Sequence, residues 1–91
     1  VAGGYADADT ADANVAAAAN FAIKKRSKTL GAGISLVSIA KARMQVVAGM
    51  NYEVCMEVDV KRKTDKKADR QFARAVVYRN LKNKLSLTSW T

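Results

Sequence analysis

Few side chains in this sequence can act as acid, base or nucleophile. The chain has no His and one Cys, Cys55. The commonest general base and the commonest metal ligand are therefore missing. A single Cys builds neither an intrachain disulfide nor a Cys/His metal cluster. No base neighbours Cys55 in the strand pattern to activate its thiol, so a passive free Cys is expected. Asp7, Asp9 and Asp12 read better as acids at a helix start than as a cation site. These residues predict no catalytic group, no cofactor and no metal, and hence no enzyme. The remaining candidate for function is a segment suited to contact rather than to bond-making, Gln45-Val46-Val47-Ala48-Gly49. It carries two adjacent valines beside small residues.

The elements that must hold this segment fit one domain spanning residues 1–91, with 1–9 as a flexible N-terminal part. Ninety-one residues, half of them apolar, support a single modest core. The formal net charge is +8, and every basic residue lies from Lys24 onward. Such a balance permits binding to nucleic acid, anionic membranes or acidic proteins and selects none of them. The basic run 61–70 has several acids mixed in and no aromatic residue for stacking, so a solvated turn is expected there. A chain that begins at Val1 rather than Met reads as a processed product, which favours secretion slightly over the cytoplasm.

Helical periodicity appears once. Asp9 to Asn14 form an acidic, cap-rich entry. Residues 11 to about 27 read as a helix with the run Ala16–Ala19 in its interior. Ala11, Val15, Ala18, Ala19 and Ala22 fall on one stripe, flanked by Phe21 and Ile23. This helix is too short and too weakly basic on one face for a membrane helix. After Gly31 and Gly33 the sequence turns to strands. Within 34–47 the apolar phase changes between Leu36 and Val37, which predicts a β-bulge. Met50, Tyr52, Val54, Met56, Val58 and Val60 alternate with polar residues and predict a strand with one buried face. A third strand is expected over 72–79, around Phe72, Val76 and Tyr78. A polar turn at 80–83 leads to a last strand with Leu85 and Leu87. One long helix across a four- to five-stranded antiparallel sheet is an α+β fold.

Taken together, these residues resemble the cystatins, protein inhibitors of papain-like cysteine proteases. Gln45-x-Val47-x-Gly49 is similar to that family's first hairpin at every fixed position. Lys41 to Tyr52 is similar to family sequences throughout, and Ala18-Ala19-Asn20-Phe21-Ala22-Ile23 looks like the family's helix signature. Gly3-Gly4 sits where the family has its N-terminal glycine. The resemblance is close over residues 15–60 and weaker from Phe72 to Ser89. It implies a cystatin-like fold without disulfides and occlusion of a protease cleft by three regions. These are the segment around Gly3 and Gly4, the hairpin Gln45, Val46, Val47, Ala48 and Gly49, and a second hairpin. In the second hairpin the family usually has Pro-Trp, and the matching positions here are Leu81 and Lys82. Trp90, the only Trp, is expected to pack near the sheet end.

The partners implied are papain and cathepsins, without membrane, and nucleic acid is disfavoured. The inhibitory form is expected to be a monomer. The β-branched Val46 and Val47, if they lie in a tight turn, would strain it and favour exchange of the helix and first long strand between two chains. The altered second hairpin motivates an alternative. On that reading, a cystatin-fold module with weakened inhibition binds an anionic partner through its basic face.

Overall fold

The computed structural model describes residues 4–91. Its elements run β1 (Ala6–Ala8), α1 (Ala13–Leu30), β2 (Gly33–Val47), β3 (Gly49–Lys61), β4 (Asp69–Arg79) and β5 (Leu85–Trp90). The strands form one antiparallel sheet in sequence order, and α1 packs across one of its faces. This is the α+β architecture expected. β1 lies within the segment read as flexible from sequence.

The helix starts later and ends later than its periodicity suggests. The Asp12 carboxylate accepts from the backbone N–H of Asn14 (3.0 Å) and Val15 (3.2 Å), which makes Asp12 the N-cap. Ala11, expected on the apolar stripe, therefore lies before the helix and is exposed. At the other end Gly31 adopts φ 67°, and its N–H bonds the Ser27 carbonyl. That left-handed residue stops a helix that 3.6 periodicity alone could not end at Leu30.

Val15, Ala18, Ala19, Ala22 and Ile23 face the sheet and are buried. Opposite them lie Ala42 of β2, Tyr52, Val54, Met56, Val58 and Val60 of β3, and Ala73, Ala75 and Val77 of β4. Each fully buried Val or Met contributes about 1.5–3 kcal/mol relative to leaving it exposed. The face that β4 turns to the helix is lined by small residues. Phe72 points away from the helix and is 79% exposed, while Ala73, Ala75 and Val77 point inward. Small side chains on both α1 and β4 let the helix lie close. A phenylalanine at an inward position would hold it off.

The bulge expected in β2 is present, and a second accompanies it. Val37 and Ala40 are each skipped in an otherwise continuous pairing with β3, which runs from Gly33↔Lys61 to Val47↔Gly49. Both skipped residues are exposed.

On the face away from the helix, β3 carries a buried acid. Glu53 is 4% exposed. It is held between Arg43 of β2 (2.7 Å) and Arg74 of β4 (2.6 Å). Those hydrogen bonds, first the one from Arg43, hold its carboxyl below the usual carboxylate range against the opposing effect of burial. Arg70 makes a second rung with Glu57 and Asp59.

Candidate functional site

The strand register brings both hairpins to one end of the sheet, and β1 runs with its start towards that end. β2 and β3 turn at Ala48, between paired Val47 and Gly49. β4 reaches the same end, because Met50 pairs with Arg79, and the β4–β5 turn extends beyond it. In β1, Ala8 pairs with Ala42 and Ala6 with Met44. Continuing that register carries Tyr5 and Gly4 towards the β2–β3 turn. Gly4 is exposed with open space around its Cα. Gly3, with Val1 and Ala2, lies outside the described residues.

The first hairpin is tight and braced. Val46 and Val47 are strand residues, so the strain expected from β-branched side chains in the turn is absent. The unusual backbone falls on Gly49, at φ 113°. Any Cβ at Gly49 would collide with the Arg79 carbonyl oxygen and lie 3.0 Å from the Tyr78 hydroxyl. Glycine is thus required both for the dihedral and for the space. The Tyr78 hydroxyl donates to the Ala48 carbonyl oxygen. Gln45, Asn51 and Tyr78 occupy one cross-strand row, and Asn51 Nδ2 donates to Gln45 Oε1 at 3.0 Å. The polar side chains behind the tip are tied down in this way. Val46 remains 64% exposed, Ala48 is exposed and Val47 half-buried.

The second hairpin, Asn80 to Lys84, is organised by Asn80. Its side-chain Oδ1 accepts from the N–H of Lys82 (2.9 Å) and of Lys84 (3.0 Å). Its carbonyl accepts from Asn83 N–H, and its own N–H donates to Lys84. Asn83 takes a left-handed conformation at φ 64°, the arrangement of a type I turn followed by a bulge. Leu81 is thereby presented at 79% exposure, with Lys82 exposed beside it. Trp90 is remote from this tip. It ends β5 opposite Ala75 and packs against the core.

The N-terminal segment is held by β1–β2 pairing and by a charged contact ahead of it. The Arg43 guanidinium lies over the Tyr5 ring at 5.1 Å, within cation–π range. Its Nε donates to buried Glu53. A chain of contacts therefore runs Tyr5–Arg43–Glu53–Arg74 across the open face. Arg79 ties the hairpins to the helix start, with Nη1 donating to Asn14 Oδ1 at 3.0 Å and the guanidinium 5.5 Å over Tyr52.

Tyr78, Arg79, Asn51 and Arg43 were not among the contact residues expected from sequence. Asn51 and Arg43 sit inside the hairpin segment, so their strand positions were readable. Tyr78 and Arg79 lie thirty residues away and become relevant only through the β3–β4 register. Among the described residues no group of His, Cys, Asp and Glu is assembled that could hold a metal. The site offers an apolar projecting edge on a hydrogen-bonded support, and no arrangement of nucleophile and base.

The sequence profile of the SQAPI family, described as aspartic acid proteinase inhibitor, matches residues 8–91. L-cystatin of Tachypleus tridentatus is 44% identical over 57 residues, which cover 60% of this chain and 43% of the relative. The match thus spans less than half the length of that curated relative. The salivary cystatin of the soft tick Ornithodoros moubata superposes with a TM-score of 0.80 at 24% identity, covering 100% of this chain and 97% of its own. The crystal structure of Al-CPI does so at 0.75 and 18% identity, covering 98% of each chain. These two likenesses show the fold.

Proposed function

We propose that this chain, which belongs to the cystatin-like aspartic acid proteinase inhibitor family, reversibly inhibits papain-like cysteine proteases by filling their active-site cleft. The observation that carries this reading is the first hairpin. It combines the full Gln45-x-Val47-x-Gly49 pattern with exposed Val46 and Ala48 on a tip braced from β4. A cleft that received the tip would bury apolar area at roughly 25 cal/mol per Å². The ordering cost is small because the tip is already fixed. Gly4 and Leu81-Lys82 flank it, so the contact would be a row of three regions, with Leu81-Lys82 the weaker side in the absence of an indole. The mechanism is occlusion and needs no chemistry from the inhibitor.

The family description favours a second reading, in which the target is an aspartic proteinase. Titration of active-site-counted papain and pepsin with the purified chain separates the two. The first reading expects papain to lose activity at or below micromolar inhibitor, with pepsin unaffected. Inhibition of pepsin with papain untouched would replace it with the second.

A further inference from the structure

The end of the molecule away from the hairpins holds a feature the inhibitor reading does not use. A groove of about 630 Å³ opens between the last turns of α1, the start of β2 and the β3–β4 connection. Its walls include Lys24 and Lys28 from the helix and Lys63 from the connection, and its floor includes Ile23, Ala32 and Ile34. Two basic runs that are separate in sequence, 24–28 and 61–67, thus meet across one cleft.

The charge there is predominantly positive. Residues 20–31 carry Lys24, Lys25, Arg26 and Lys28 and no acid. In the connection, Asp65 is engaged with the N–H of Arg62. The ion pairs among the described residues all use Arg43, Arg70 or Arg74. None uses a lysine. Glu53, Glu57 and Asp59 are thus paired on the open sheet face, and among the described residues no ion pair engages the groove lysines Lys24, Lys28 and Lys63.

We propose that this groove binds a linear sulfated polysaccharide. Lysines act as mobile point charges and suit anions of variable spacing, whereas arginine forks demand fixed geometry. No aromatic side chain lines the groove, and the adjoining Phe21 lies under Lys25, which disfavours base stacking and hence single-stranded nucleic acid. It is a shallow, open groove with an aliphatic floor of Ile23, Ala32 and Ile34, along which a flexible chain can lie. The site is also remote from the hairpins. Gly33 and Val47 are the two ends of the 15-residue β2, which with two bulged residues spans roughly 40 Å at strand rise. A bound polysaccharide would leave the hairpin end free, so the surface would anchor the protein to an anionic matrix without competing with a protease.

The test is binding of a fluorescent heparin oligosaccharide by anisotropy, across a salt series, for three proteins. These are the wild type, K24Q/K28Q/K63Q, and the charge-matched K41Q/K82Q/K84Q, each checked for folding by circular dichroism. The wild type and the charge-matched variant are expected to bind alike. The groove variant should bind at least tenfold more weakly, with a slope of log affinity against log salt shallower by roughly two. Its inhibition constant for papain should be unchanged. Equal weakening of both variants would overturn the proposal in favour of net charge alone. Binding by the wild type to vesicles containing phosphatidylserine, with none to heparin, would overturn it in favour of a membrane.

Discussion

The Tyr78 hydroxyl at the end of β4 donates a hydrogen bond to the Ala48 carbonyl oxygen at the tip of the β2–β3 turn. The first hairpin is therefore held from a neighbouring strand and not only by its own ladder. Tyr78→Phe removes the donor and keeps the ring. The expected outcome is a papain complex that dissociates about fivefold faster, equivalent to about 1 kcal/mol for one hydrogen bond. The unfolding temperature should stay within a few degrees. Stopped-flow displacement gives the rate. A lowered melting point with an unchanged dissociation rate would reduce the brace to a folding contact.

Gly49→Ala should be far more damaging than its one added methyl suggests. The backbone at φ 113° costs a non-glycine residue about 1–3 kcal/mol, and the methyl meets the Arg79 carbonyl. Either the turn or the end of β4 has to move. Thermal unfolding should shift down, and the papain inhibition constant should rise at least tenfold. Wild-type inhibition by this variant would mean the tip conformation is not what the protease reads.

Val46→Asp tests the contact directly. Val46 is 64% exposed, so the folded protein should tolerate the change to within about 0.5 kcal/mol. In the complex the carboxylate would be buried without a partner, and inhibition should fall by more than a hundredfold. Val47→Asp should act in the same direction, with some loss of stability because Val47 is half-buried. Binding to heparin should be unaltered in both.

Lys82→Trp asks whether the second hairpin reaches the target. An indole that buried about 60 Å² more apolar surface would tighten the complex about tenfold. An unchanged inhibition constant would show that Asn80–Lys84 stays clear of the cleft.

Glu53 supplies a pH dependence. Its carboxyl is held below the usual carboxylate range in the folded protein, chiefly by Arg43. The unfolded chain therefore takes up the proton at a higher pH than the folded one. The stabilisation is complete above the ordinary carboxylate range and is lost as pH falls through the lower folded value. Glu53→Gln should cost about 2 kcal/mol near neutrality, and the gap to wild type should narrow on acidification below about pH 4.5. Because Arg43 also sits over Tyr5, the variant should release the N-terminal segment. Faster amide exchange at Tyr5 and Ala6 would report it. A constant stability gap from pH 7 to pH 3 would rule out the ionised pair as the cause.

Much of this architecture is legible in the sequence because period-two and period-3.6 patterns report which face is dry. The alternation of β3 from Met50 to Val60 and the stripe from Val15 to Ile23 both did so. Glu53 escaped because alternation places it on the wet face. Only pairing with β2 and β4 supplies the two arginines that make its burial tolerable, and those partners lie 10 and 21 residues away in sequence. The residues that mark β4 in the sequence, Phe72, Val76 and Tyr78, lie on its open face. The inward positions are filled by Ala73, Ala75 and Val77, a choice set by the closeness of the helix and invisible to hydropathy alone. The hairpin at Gln45–Gly49 was recognised through its motif. Its support from Tyr78 and Arg79 was not, since no local signal links residues thirty apart.

The skipped residues Val37 and Ala40 make β2 15 residues long where β3 has 13. Each unpaired residue bends the strand that carries it and raises its local twist. Deleting both skipped residues would leave every other cross-strand partner unchanged and remove the surplus that forces the bend. Curvature and register are thus encoded separately in this chain, and the sheet could be flattened without moving a side chain of the β2–β3 tip to the other face.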